Sequence, residues 1–185
     1  MRAFIAITVP QDLKNRIEKV QERLDMLDIE VKLVEPEILH YNLKFLGEIT
    51  EGDAAKVVSI LNHTVPQHKS FNLHITGVGA FPQTVYARVV WLGATEGAQQ
   101  LSALAESIEL ALLDVGFRGE DRPFAPHLTL ARINSGQHKP ELITLLKEQA
   151  NADIGTMHVE QVVLFKSELT PKGPIYTPIH TVKLS

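Results

Sequence analysis

Two short segments lying 87 positions apart share one plan. Leu39-His40-Tyr41-Asn42-Leu43 and Pro126-His127-Leu128-Thr129-Leu130 each set a histidine two residues before a small polar side chain, followed by leucine. Both occur in apolar, β-favouring surroundings, where side chains two apart share one face of a strand. His40 is thus expected to project with Asn42, and His127 with Thr129, while Leu43 and Leu130 turn away. An imidazole with a pKa near 6.5 gives or takes a proton at neutrality without a metal. The escorting amide or hydroxyl supplies a hydrogen-bond donor. These are the parts needed for acid–base chemistry on an oxyanion.

The rest of the composition narrows the options. The chain has no cysteine, which rules out thiolate catalysis, disulfides and cysteine-held zinc. No His-x₃-His pair or Glu/His cluster has ligand spacing, so no metal and no cofactor are expected. The net charge of −4 gives no general attraction for a phosphate ester. Such a ligand would need a local cluster, drawn from Lys44, Arg88, Arg118, Arg122 and Arg132. Simple alternation puts Lys44 on the face of His40 and Asn42. It puts Arg132 on the face opposite His127, so that Arg132 reaches the site only if the strand twists or ends. Tyr41, Phe45, Trp91 and the other phenylalanines read as core. His74 and His158 read as structural strand residues, and His63, His68, His138 and His180 as surface residues.

The elements that must carry these groups follow from periodicity. Arg2 to Thr8 reads as a strand, and Pro10 suits the first turn of a helix whose apolar stripe is Leu13, Ile17, Val20, Leu24 and Leu27. Short strands are expected at Val31–Val34 and Leu39–Leu46. Thr50 and Asp53 form a capping-box pattern before a helix through Val57 and Leu61. Strands follow at Phe71–Val78 and Ala87–Leu92. A helix from about Glu96 buries Leu101, Leu104, Ala105, Ile108, Leu112 and Val115 and is stopped by Gly116. After the polar stretch Arg118–Arg122 come a strand at His127–Ile133, a helix at Pro140–Ala150, and strands at Val159–Phe165 and Ile175–Val182. No linker divides residues 1–185, so a single domain is expected. Each histidine strand precedes a polar loop and a helix, which suggests two similar lobes meeting at a cleft. The apolar run at the N-terminus is too short to cross a bilayer and is cut by Pro10, so no membrane segment and a cytoplasmic location are expected.

At this point the residues resemble the 2H phosphoesterases, and within them the RNA 2′,3′-cyclic phosphodiesterases, the LigT-like group once called 2′-5′ RNA ligases. The resemblance runs through Met1-Arg2-Ala3-Phe4-Ile5-Ala6, His40-Tyr41-Asn42-Leu43-Lys44-Phe45-Leu46-Gly47-Glu48, Phe81-Pro82 with Arg88-Val89-Val90-Trp91-Leu92-Gly93, Phe124-Ala125-Pro126-His127-Leu128-Thr129-Leu130-Ala131-Arg132, Ser167-Glu168-Leu169 and Gly173-Pro174-Ile175-Tyr176. It implies a bilobal α+β fold, with two antiparallel sheets facing a central cleft and helices on the outer sides. It implies His127 as the base that activates water and His40 as the acid that protonates the leaving ribose oxygen. Asn42, Thr129, Lys44 and Arg132 would bind the substrate phosphate. The expected partners are RNA ends carrying a 2′,3′-cyclic phosphate, or small cyclic nucleotides, acted on by a monomer. One departure stands out: Asn42 occupies the place where the family has Thr or Ser. Ligation through a 2′-5′ bond by the same histidines, and an idle RNA- or nucleotide-binding module, remain the alternatives.

Overall fold

A computed structural model describes residues 1–134 and 139–185; His138 lies outside the described residues. The chain opens with β1 (Arg2–Thr8), an Ala/Ile/Phe strand buried on both faces, as its central place in the sheet requires. Helix α1 (Gln11–Asp25) starts directly after Pro10 and buries Leu13, Ile17, Val20 and Leu24. Burying each such side chain contributes about 1.5–3 kcal/mol. β2 (Val31–Leu33) and β3 (His40–Glu48) follow. Helix α2 (Glu51–Thr64) has the expected reciprocal cap: Asp53 N donates to Thr50 Oγ1 at 3.0 Å and Thr50 N to Asp53 Oδ2 at 3.2 Å.

The middle of the chain supplies β4 (Phe71–Phe81), β5 (Val89–Ala94), α3 (Ala98–Leu113) and β6 (Leu128–Ile133). α3 ends earlier than the apolar periodicity predicts. Gly116 adopts φ 94°, Phe117 N turns back to Leu112 O, and Val115 is left exposed instead of buried. The last third holds α4 (Pro140–Glu148), β7 (Asp153–Val159), β8 (Gln161–Thr170) and β9 (Gly173–Lys183).

All strand pairs are antiparallel, in the order β7-β4-β5-β6-β3-β1-β8-β9, with β2 added on β6. The α+β class and antiparallel layout agree with expectation. The two sheet halves are not separate, however. They join at a narrow seam between β3 and β6, where the registered pair is Tyr41 with Leu128. Both residues are fully buried, and Tyr41 Oη donates to Gly93 O at 2.9 Å. The main core lies on the helix side of the sheet. A smaller cluster of Phe4, Ala6, Val163 and Phe165, capped by Tyr176, fills the other face of β1 and β8.

Candidate active site

The seam brings the two histidine motifs side by side. Continuing the Tyr41–Leu128 register along an antiparallel pair sets His40 opposite Thr129 and Asn42 opposite His127. The four side chains therefore form a square on the face opposite buried Tyr41 and Leu128. Its diagonal joins His40 to His127, and diagonal neighbours in a regular antiparallel pair lie about 7–8 Å apart. That spacing leaves room for one phosphoryl group between two rings. All four residues line one cavity of about 530 Å³.

Each histidine is anchored in the same way. His40 Nδ1 lies 2.7 Å from Ile38 O, and His127 Nδ1 lies 2.8 Å from Ala125 O. A carbonyl only accepts, so each Nδ1 carries the proton and donates it, leaving Nε2 for proton transfer. The packing differs. His40 sits against Phe4, with ring centroids 5.0 Å apart, and meets Tyr176 edge-on at 5.6 Å. Burial lowers its pKa below the ordinary 6.5; the Ile38 hydrogen bond opposes this, and the charge of His127 adds to the lowering. His127 meets Phe81 edge-on at 5.1 Å. The side chains of Asn42 and Thr129 have no hydrogen-bond partner among the described residues.

Two bulges decide which cations reach the site. Ile5 pairs with Lys44 and Ala6 with Asn42, so Leu43 is an extra residue in β3 and alternation reverses beyond it. Lys44 consequently points to the interior, not to the face of His40. It is 4% exposed and pairs with Glu109 at 2.7 Å and Glu120 at 3.2 Å. The expectation that Lys44 binds phosphate is corrected on that ground. Phe45, expected in the core, takes the cleft position instead and is 48% exposed. In β6 the extra residue is Leu130, since Val90 pairs with Ala131 and Trp91 with Thr129. Gln21 of α1, itself buried, holds this bulge by donating to Leu130 O at 3.0 Å and Val34 O at 2.8 Å. The reversal turns Arg132 onto the face of Thr129, in the cavity with both histidines.

Arg2, Lys32 and Lys172 complete a cationic lining that sequence reasoning did not single out. Arg2 could have been found from its alternation with Phe4 along β1. Lys172, in the β8–β9 turn, carries no local signal. Tyr176 also lines the cavity; its phenol is raised by burial, partly offset by Arg132 and Arg2. A second chamber of about 900 Å³ adjoins the first through Asn42, Phe45 and His127. Its walls include Phe81, Phe124, Arg88 and Arg122. Phe81 and Phe124 are thus cleft residues where core was expected. Arg118 faces solvent beside Asp121, 3.7 Å away. His74 and His158 lie in strands as expected: at the β4–β7 edge they bond Asp153 at 2.6 Å and Asn72 at 2.8 Å. Among the described residues no three His, Asp or Glu side chains gather as metal ligands. None of the described helices is long and apolar enough to cross a membrane.

Known proteins share this architecture and sequence. The model of the family described as LigT like phosphoesterase matches twice, over residues 7–91 and 92–176. The RNA 2′,3′-cyclic phosphodiesterase of Methanothermobacter thermautotrophicus is 38% identical over 184 residues, covering 100% of this chain and 99% of that protein. The protein of the same name from Methanocaldococcus jannaschii is 37% identical, covering 97% and 98%. Among solved structures, a Thermus thermophilus protein superposes with TM-score 0.84 at 27% identity, over 99% of this chain and 97% of its own. Escherichia coli LigT complexed with 3′-AMP shares the fold, with TM-score 0.80 at 24% identity over 100% and 98%.

Proposed function

This chain belongs to the LigT-like phosphoesterase family, and from that premise we propose that it hydrolyses RNA-terminal 2′,3′-cyclic phosphates to 2′-phosphomonoesters. The observation that carries the reading is the pair of Nδ1-anchored imidazoles, diagonal across one seam and opening on one cation-lined cavity. The cyclic phosphate rests between them. His127 Nε2 takes a proton from water as the new O–P bond forms. The P–O3′ bond breaks in line, and His40 Nε2–H protonates the departing 3′ oxygen. Negative charge on the non-bridging oxygens meets the Asn42 amide, the Thr129 hydroxyl and the Arg132 guanidinium.

His40 enters this cycle charged, although its surroundings in the free protein favour the neutral ring. The substrate supplies the difference. A phosphodiester anion between the rings offsets both the desolvation and the repulsion from His127, so protonation of His40 is coupled to binding.

The second chamber favours a second reading. About 900 Å³ beside His127 far exceeds the roughly 30 Å³ share of a water molecule and accommodates a nucleoside 5′-hydroxyl in its place, giving a 2′-5′ bond. One experiment tests both readings. Purified protein is incubated with an oligoribonucleotide ending in a 2′,3′-cyclic phosphate, with and without a 5′-hydroxyl strand and EDTA, and the ends are mapped. A 2′-phosphate is expected, formed at the same rate in EDTA. His40→Ala and His127→Ala should each lower the rate about 10²–10⁴-fold. Turnover that survives both substitutions in one chain overturns the proposal.

A further inference from the structure

The ammonium of Lys44 is an oddity at its position. A buried charge is costly, and the residue at the equivalent place after the second motif is Ala131, fully buried and apolar. Three acceptor atoms surround the Nζ of Lys44, which donates to Arg118 O at 2.8 Å and forms ion pairs with Glu109 Oε2 at 2.7 Å and Glu120 Oε1 at 3.2 Å. Two of these acceptors belong to the irregular connection between α3 and β6, and the third reaches the same connection indirectly. Glu109 Oε1 accepts from Glu120 N at 2.6 Å. The backbone here lies hard against α3: a Cβ on Gly119 would stand 3.0 Å from Leu113 Cδ2 and 3.3 Å from Glu109 Oε1. From this anchor the chain runs past Arg122 and Phe124 along the wall of the second chamber to Ala125, whose carbonyl holds His127 Nδ1.

We infer that Lys44 is a positioning residue, through which the strand carrying His40 and Asn42 fixes the loop that sets the tautomer and aim of His127. The inference rests on His127 acting as the base of the reaction proposed above. Removing the tie lets the loop and Ala125 O drift, and His127 loses its fixed Nδ1–H form. Misplacement of a reacting group by about 1 Å costs about 10²-fold in rate.

The test compares wild type, Lys44→Met and Glu120→Gln. Glu120 is half exposed, and its loss leaves Lys44 paired with Glu109, so this variant folds even if Lys44→Met does not. Imidazole ¹⁵N spectra, taken where the rings are neutral, read the tautomers of His40 and His127 without reference to activity. Steady-state kinetics on a 2′,3′-cyclic nucleotide separate kcat from KM. Expected are a mixed tautomer at His127, an unchanged Nδ1–H form at His40, and kcat lowered about 10- to 10²-fold in Lys44→Met and less in Glu120→Gln. If Lys44→Met does not fold, Glu120→Gln decides alone. A folded variant with wild-type kcat, or with lowered kcat and an unchanged His127 tautomer, overturns the inference. If wild type itself shows no turnover, the proposed reaction fails, while the tautomer comparison still reports on the tie.

Discussion

Asn42 offers the sharpest test of how the cavity handles charge. Its side chain is half-buried, opens on both chambers and has no hydrogen-bond partner among the described residues, so changing it breaks no internal bond. In Asn42→Ala the site loses one of the three donors proposed for the phosphoryl oxygens, worth about 10²–10³-fold in kcat, or about 2.7–4 kcal/mol. Asn42→Asp removes the donor and adds an anion. Two unit charges about 4 Å apart at an effective dielectric of about 20 repel by about 4 kcal/mol, so a further fall of about 10³-fold in kcat/KM is expected. Asn42→Thr restores a donor and makes the motif match Thr129; it should preserve or raise turnover. The assay is saturation kinetics on a 2′,3′-cyclic nucleotide, with thermal unfolding run beside it to verify that Tm moves little. Asn42→Ala at wild-type kcat, or Asp no worse than Ala, would refute the assignment of Asn42 to the phosphate. A large loss in Asn42→Thr would mean that the longer amide has a role of its own.

Other outcomes follow from the same geometry. The His40 imidazole, followed by NMR, should titrate below 6.5 in the free protein and move upward when a 2′-phosphate product binds; a downward movement would contradict the coupling of its proton to the anion. Because the folded state holds this proton less tightly than the unfolded chain, the His40 contribution to stability is full above pH 6.5 and declines as pH falls toward its folded pKa, which calorimetry across that window will detect. Arg132→Ala should raise KM and weaken its dependence on salt, since a cavity cation is lost; an unchanged KM would mean that the bulge at Leu130 does not deliver Arg132 to the ligand. Tyr41→Phe leaves Gly93 O without its buried donor at the seam and should cost about 1–3 kcal/mol in denaturant unfolding.

The histidine strands, the Thr50 cap and the apolar stripe of α1 were legible because each rests on a short-range pattern: period two, a fixed offset of three, and period three to four. Bulges are not written that way. Leu43 and Leu130 resemble ordinary strand leucines, yet each shifts its strand by one residue and reverses the side chains that come next. For this reason Lys44 and Phe45 exchanged places relative to simple alternation, and Arg132 arrived where alternation denied it. β7 escaped notice for a related reason. Gly155 and a register shift between Thr76 and Ile75 interrupt its period, and its partner β4 lies some eighty residues earlier in the chain. The aromatic residues read as core because hydrophobicity alone does not distinguish a packed face from a cleft wall.

The seam at Tyr41 and Leu128 acts as a pivot of approximate symmetry, since a half-turn about it exchanges the two imidazoles and exchanges Asn42 with Thr129. A ligand turned end over end would therefore find an acid and a base again, with the duties swapped. In the proposed reaction, which ribose oxygen is freed is then not dictated by the histidines. It falls to the places where the halves disagree: guanidinium at 132 against phenyl at 45, and Lys172 of the β8–β9 turn, which lines the first chamber and not the second. In the proposed reaction, regiochemistry is a property of the mismatches.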